Sequence, residues 1–249
     1  MTILSSGNTD IGRKRKTNQD SICLEKEYNF FVVADGMGGH NGGDIASQMT
    51  VKLFSEMVKA NKSTQGDVPV FLNDSVKSIN NSIYEHGMSN EDLKGMGTTI
   101  SAIMFCDHFA NIANIGDSRV YLIQKSKLYQ LTRDHSLVQE KVNLGIYDRE
   151  AAKKDPQKNV LTRTVGFEPN VEVDVYKYKI SKEDLFIICS DGLHGKVNDQ
   201  DVVEIINASI PDFSKITQEL LDGAVQNLID QANNNGGQDN ISVIIAVAI

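Results

Sequence analysis

Tryptophan is absent from these 249 residues, and proline (four) and cysteine (three) are scarce. The prolines are scattered, and no low-complexity tract or repeat divides the chain. A single domain over residues 1–249 is therefore the economical expectation. Cys23, Cys106 and Cys189 are odd in number, far apart and set in apolar runs. That argues against a disulfide framework or a zinc site and reads as reduced core thiols of a cytoplasmic protein. No apolar run approaches the roughly 18 residues of a membrane span. The first residues lack a basic segment followed by an apolar one, so neither a membrane anchor nor a secretory signal is expected. Positive charge is also short: 25 Lys and Arg face 33 Asp and Glu, a net charge of -8. A sequence-independent nucleic-acid binder needs the opposite balance. The one compact basic cluster, Arg13-Lys14-Arg15-Lys16, reads as a solvated loop apart from Arg15.

What the chain does have is enough apolar sequence, 40% of residues, for a large core. Strand-like runs rich in Val, Ile, Phe and Tyr fall at Ser21–Glu25, Asn29–Ala34, Thr98–Phe105, Phe109–Ile115, Arg119–Gln124, Val171–Lys179, Asp184–Cys189 and Ile241–Ala248. Short turns such as Cys106-Asp107-His108 join several of them, which implies antiparallel pairing. Helical periodicity marks Ile45, Met49, Leu53 and Met57, with Phe54 and Val58 beside them. It recurs at Val76, Ile79, Ile83 and Tyr84, and from about Asp199 through Val202, Val203, Ile205 and Ile206. A longer helix is expected from about Ser214, striped by Ile216, Leu220, Leu221, Val225, Leu228 and Ile229. Grouped strands and one-faced helices predict an α+β layered sandwich. A polar stretch at about 134–166 breaks the pattern and reads as a partly helical excursion, a flap.

Four aspartates stand where an apolar run gives way to a turn. Asp35 follows Phe30-Phe31-Val32-Val33-Ala34, Asp117 lies in Gly116-Asp117-Ser118, Asp191 ends Leu185–Ser190, and Asp239 precedes Asn240 and Ile241–Ala248. If those strands are neighbours, the carboxylates meet. Two carboxylates about 5 Å apart repel by roughly 3 kcal/mol at an effective dielectric near 20. Against a net stability of about 5–15 kcal/mol, only bound cations make such crowding tolerable. The glycines after Asp35 match neither G-x-G-x-x-G nor the P-loop spacing, so they read as a close backbone approach to a cation, with the Gly36 carbonyl as a further ligand. Oxygen donors without a His/Cys grouping select Mg²⁺ or Mn²⁺. Asp35 could bridge two ions, with Asp191 and Asp239 completing the second site. Such a pair can hold a bridging water and depress its pKa toward about 7, which suits attack at phosphorus.

Seven motifs occur in order: Arg15-Lys16-Thr17-Asn18-Gln19-Asp20, Asp35-Gly36-Met37-Gly38-Gly39-His40, Gly97-Thr98-Thr99, Gly116-Asp117-Ser118-Arg119, Leu161-Thr162-Arg163, Ser190-Asp191-Gly192 and Gly237-Gln238-Asp239-Asn240. With them the chain, from about residue 6 to its end, resembles a bacterial metal-dependent protein Ser/Thr phosphatase of the type 2C (PPM) family. The resemblance implies a four-layer αββα sandwich, two antiparallel sheets face to face with helices outside and the metals at one end. It implies two ions on Asp35, the Gly36 carbonyl, Asp191 and Asp239, with Asp20 supporting the metal cluster through water or an outer hydrogen bond. Asp117 and Asp191 would hold a third ion, and Arg15 would grip the substrate phosphate through its planar fork. Animal and plant members carry an acidic residue where this chain has Gln19, and a His where it has Met37. His40 is the nearest substitute as general acid.

The activity so implied is hydrolysis of phosphoserine and phosphothreonine on proteins, reversing a partner Ser/Thr kinase, with Mn²⁺ or Mg²⁺ required. The expected partners are phosphorylated proteins, with no nucleic acid and no membrane, and the chain is expected to act as a monomer. The alternative is a catalytically silent phosphoprotein-binding module on the same fold, which would lack one or more metal aspartates. None of the main set is missing. His135 and Arg119 read as structural, Arg119 bracing Asp117 through a carboxylate. Arg163 braces the flap or binds substrate, and His194 packs near the site.

Overall fold

The computed structural model describes residues 2–37, 42–61 and 67–249. Along the chain run β1 (Ile3–Asp10), β2 (Asp20–Glu25), β3 (Phe30–Met37), α1 (Gly43–Ala60) and α2 (Val68–Met88). Next come β4 (Gly97–Thr98), β5 (Ile100–Cys106), β6 (Phe109–Ile115), β7 (Arg119–Gln124) and β8 (Lys127–Gln130). Two short helices, α3 (Leu137–Asn143) and α4 (Arg149–Lys154), precede β9 (Asp174–Lys179) and β10 (Leu185–Cys189). The chain closes with α5 (Asp191–His194), α6 (Asp199–Ser209), α7 (Gln218–Asn234) and β11 (Ile241–Ala248).

Two antiparallel sheets result. One is ordered β1-β11-β10-β7-β8, the other β2-β3-β5-β6-β9 with β4 also pairing β3. Their inner faces share one core, where Phe31 and Val33 of one sheet meet Val120, Phe186, Ile188 and Ile244 of the other. Phe105 packs edge-on to Phe31 and to Phe186, with ring centroids 6.0 and 5.1 Å apart, a favourable aromatic geometry. The outer faces are covered by helices. Phe54, Leu72, Ile79 and Ile83 of α1 and α2 cover Phe30, Val32 and Ile100. Val202, Ile206, Leu221, Val225 and Leu228 of α6 and α7 cover Ile187, Val243 and Ile245. Because both faces are buried, central strands are apolar over most of their length, and β10 at every position. Ile241, Val243, Ile245 and Val247 of β11 face the helices, while Ile244, Ala246 and Ala248 face the other sheet. The αββα architecture is the one expected.

Boundaries differ in instructive places. The apolar run expected over Thr98–Phe105 is split at Thr99 into β4 and β5, because Thr99 turns its amide to the Asp35 carbonyl. β1 and β8 were not anticipated. Both are edge strands, and their sequences are polar. On α1 the fully buried face is Ala46, Ser47, Thr50, Phe54 and Val58, one position on from the expected stripe. Ile45, Met49, Leu53 and Met57 flank it, partly buried. The last long helix starts at Gln218 rather than near Ser214, because the Thr217 side chain caps it by accepting from the Leu220 amide. Residues 133–166 hold α3 and α4, capped by Ser136 and Asp148, and are tied back by bridges from Ser136 to Leu161 and from Thr98 to Val165. No helix among the described residues is long and apolar enough to cross a membrane.

Candidate metal centre

The sheet register brings the acids together. β2 and β3 pair so that Asp20 stands directly opposite Asp35, an arrangement that costs stability when both are charged. Asp117 lies in the turn between β6 and β7, where the chain passes from one sheet to the other. β10 runs out into Ser190 and Asp191, and β11, its antiparallel neighbour, begins just after Asp239. All five carboxylates thus gather at one end of the sandwich.

A cleft of about 250 Å³ opens there, lined by Arg15, Gln19, Asp35, Gly36, Met37, Thr99, Asp117, Asn159, Leu161, Asp191, Asp239 and Asn240. Six residues expected at the site therefore share one cavity: Arg15, Asp35, Gly36, Asp117, Asp191 and Asp239. Asp20 does not line it. It is buried behind, where Ser190 and Ser242 both donate hydroxyls to its Oδ2 at 2.8 and 2.7 Å. His40, Gly38 and Gly39 lie outside the described residues.

The backbone around each acid is held in place. Asp35 donates its amide to the Thr99 hydroxyl and accepts at its carbonyl from the Thr99 amide and the Thr98 hydroxyl. Thr99 also shares a 2.7 Å hydrogen bond with Ser118, so the Asp35 and Asp117 loops are one unit. Gly36 packs so closely that a Cβ there would lie 2.0 Å from the Gly43 carbonyl oxygen and 2.5 Å from that of Gln19. Gly116 has φ +97°, and a Cβ on it would strike the Thr99 side chain. Asn240 fastens the Arg15 loop, accepting from the Gln19 amide and donating to the carbonyls of Ile11 and Thr17.

Electrostatically the centre is under strain. Burial, and then Asp20, Asp191, Asp117 and Asp239 around it, raise the Asp35 pKa well above the usual carboxylate range. Burial, with Asp239 and Asp20 nearby, pushes Asp191 up to about 7, although Arg15 acts the other way. Asp20 is pushed up to about 6 by burial, against the Ser242 and Ser190 hydrogen bonds. Asp117 is raised well above its ordinary value by burial, Asp191 and Asp134. Arg15 meets Asp239 at 2.7 Å and has its own pKa raised chiefly by that hydrogen bond.

Whether these residues fit a divalent cation can be judged from the donors themselves. Among the described residues, Asp191 Oδ1 is buried with no hydrogen-bond partner. A buried carboxylate oxygen left unpaired is costly, and a hard cation is the partner that would relieve it. The cleft's acidic donors are all oxygens, with no His or Cys among the described residues that line it. Among the described residues, no three His, Cys, Asp or Glu side chains close into a ready-made coordination shell. Asp239 is turned to Arg15 and Asp20 to its two serines, while Asp35, Asp117 and Asp191 face a common space. The set suits hard cations by chemistry, with small side-chain movements needed to close around them.

Other expectations resolve as follows. Arg119 forks onto Asp134 at 2.6 to 3.1 Å and donates to the Tyr121 hydroxyl, so its carboxylate partner is Asp134. Arg163 braces the segment it sits on, through Asp174 at 2.8 Å and Glu172. The cysteines have no activating environment: burial raises all three thiols, Cys23 to about 11 and Cys189 to about 12. His194 is pushed down to about 3 by burial and then Arg119, so its ring is neutral. Sequence reasoning had given no role to Ser190, Ser242, Asn159 or the Asn240 side chain. The first two are visible only through register, which places them against Asp20 from 170 and 222 residues away.

Comparison with known proteins agrees with this geometry. Residues 12–230 match the sequence profile described as Protein phosphatase 2C. The serine/threonine phosphatase stp of Listeria monocytogenes is 38% identical over 242 residues, covering 95% of this chain and 92% of its own. The crystal structure of the Mycobacterium tuberculosis serine/threonine phosphatase PstP/Ppp superimposes with a TM-score of 0.89 at 30% identity, covering 100% of this chain and 99% of the other. A structure of the PstP catalytic domain in complex with two manganese ions superimposes with a TM-score of 0.85 at 29% identity, covering 98% and 97%.

Proposed function

The chain belongs to the protein phosphatase 2C family, and from that premise we propose that it hydrolyses phosphoserine and phosphothreonine on proteins, using Mn²⁺ or Mg²⁺. One observation carries the reading: a cleft whose acidic floor includes the unpartnered Asp191 Oδ1 is walled by the guanidinium of Arg15. Asp35, the Gly36 carbonyl, Asp191 and Asp239 would hold two ions, and Asp117 with Asp191 a third. When bound, such ions would supply Lewis-acid chemistry, acidifying water and drawing charge from the phosphoryl oxygens.

The protein's own groups do the rest. Arg15 donates through one nitrogen to Asp239, which leaves other donors of its planar fork for phosphate oxygens. Its attachment to Asp239 fixes the phosphate close to the acids. Asn159 and Leu161 form part of the cleft wall from the 133–166 segment, which we assign as a flap over the peptide next to the phosphorylated residue. Asp20, held by Ser190 and Ser242, keeps Asp35 in place from behind. The natural substrates in this reading are products of a Ser/Thr kinase.

Hydrolysis of a phosphothreonine peptide should require Mn²⁺, stop on chelation and resume when the metal is restored. Turnover that persists in a chelator would sink the metal-dependent mechanism. Mn²⁺ binding without turnover would favour a silent binding module instead.

A further inference from the structure

The turn bearing Asp117 is gripped from two sides by histidines that the reading above does not use. His135 holds Gly116 twice: its amide donates to the Gly116 carbonyl at 2.9 Å, and its ring Nδ1 accepts from the Gly116 amide at 3.1 Å. His194 reaches the next residue, its Nε2 standing 3.0 Å from the Asp117 carbonyl oxygen. A carbonyl only accepts, so His194 must carry its proton on Nε2. In His135 the accepting Nδ1 leaves the proton on Nε2, which lies 3.2 Å from both Asp174 Oδ2 and Arg163 Nη1, of which only the carboxylate can accept it. Asp174 is held in turn by Arg163 at 2.8 Å and by the Tyr176 hydroxyl at 2.9 Å.

The Gly116 amide and the Asp117 carbonyl are therefore each paired with a ring nitrogen of fixed tautomer, and the Gly116 carbonyl with the His135 amide. Gly116, at φ +97°, is soft on its own. We propose that His135 and His194 are positioning residues that set the Asp117 carboxylate toward the cation site. His135 also roots the flap, because its carbonyl accepts from the Thr162 amide at 2.9 Å. The proposal rests on the reading of Asp117 as a cation ligand.

Leucine at either position removes the polar atoms while keeping bulk. His135→Asn and His194→Gln retain an acceptor near Nδ1 and a donor near Nε2 respectively. Calorimetric titration of the full-length protein with Mn²⁺ should show the weakest binding step loosened by about 10–100-fold in His135→Leu and His194→Leu, the range for groups that orient a metal's ligands. The two amide variants should recover most of that affinity, and thermal melting in chelator identifies any variant that merely unfolds. In parallel, hydrogen exchange of the Gly116 amide, read without metal, should speed up in His135→Leu and slow again in His135→Asn. Wild-type Mn²⁺ affinity in folded leucine variants would overturn the proposal and leave the metal reading standing. Amide variants as weak as leucine would overturn it too, by assigning the effect to ring packing. A wild-type protein that takes up no Mn²⁺ would sink the metal reading itself, and with it any role in setting a ligand.

Discussion

The two ends of β10 each carry an aspartate with a buried carboxylate oxygen, and they are treated differently. Before the strand, Asp184 is fully buried, and both its oxygens are used. Gln124 donates to Oδ1 and the Ser181 amide to Oδ2, each at 2.8 Å. After the strand, Asp191 keeps Oδ1 buried without a partner, and its neighbours are Asp239, Asp20 and Asp35. One carboxylate completes a fold; the other is left incomplete among like charges. The lesson is that burial does not mark a functional acid. A missing partner sets a carboxylate apart, because buried polar groups in folded proteins are mostly satisfied.

The widest test of that contrast exchanges the two acids for amides. Asp191→Asn should lower Mn²⁺-dependent turnover by more than about 100-fold, the upper range for losing even a group behind the ligands. Its metal-free stability should stay equal or rise, because a like charge has been removed from the cluster. Asp184→Asn should keep turnover near wild type and lose about 1–3 kcal/mol of stability, since the Ser181 amide or Gln124 is left facing a donor. Urea denaturation beside a phosphopeptide assay reads both. If Asp191→Asn destabilises while keeping activity, the comparison is inverted.

Arg15 probes the acidic end from its wall. Arg15→Ala removes a charged donor pair from the phosphate, worth about 1.5–3 kcal/mol per such bond. KM for a phosphopeptide should then rise by about 10–100-fold with kcat changed far less, as expected for uniform binding. A fall in kcat at constant KM would instead make Arg15 a group that acts only in the transition state.

How much of this was legible in the sequence depends on the kind of element. β6, β7 and β11 match the runs Phe109–Ile115, Arg119–Gln124 and Ile241–Ala248, because strands buried on both faces are apolar over most of their length. β1 and β8 escaped notice because an edge strand needs little apolar sequence. Ser5 and Ser6 of β1, and Lys127 and Gln130 of β8, carry no strand signal of their own. At the site, the aspartates could be read from their positions after apolar runs. Their supports could not. Ser190 and Ser242 meet Asp20 only through the pairing of β10 with β11 and the facing of two sheets. Asn240 makes its three hydrogen bonds to backbone more than 220 residues away. Neither relation leaves a local trace.

The smallest effect is in pH, and it tests the Asp191 end of β10. A carboxylate whose folded pKa is raised holds its proton more tightly folded than unfolded, so stability falls as pH climbs through the folded value. Asp191, up to about 7 from 3.8, imposes that fall near neutrality, and Asp35 and Asp117, raised well above 3.8, add to it. His194 works oppositely: lowered to about 3 from 6.5, it makes stability rise with pH, but only up to about 6.5. Between pH 6.5 and 8 the acids alone remain. Metal-free protein should therefore lose roughly 1–3 °C in Tm across that window from Asp191 alone, given about 1.4 kcal/mol per pKa unit over the half unit up to pH 7 and about 2–4 °C per kcal/mol at this size. Saturating Mn²⁺ should cancel the loss, because a bound cation favours the ionised acids. Asp191→Asn should flatten the metal-free slope. A Tm that rises from pH 6.5 to 8 in chelator would mean that the acids at this end are not crowded in solution.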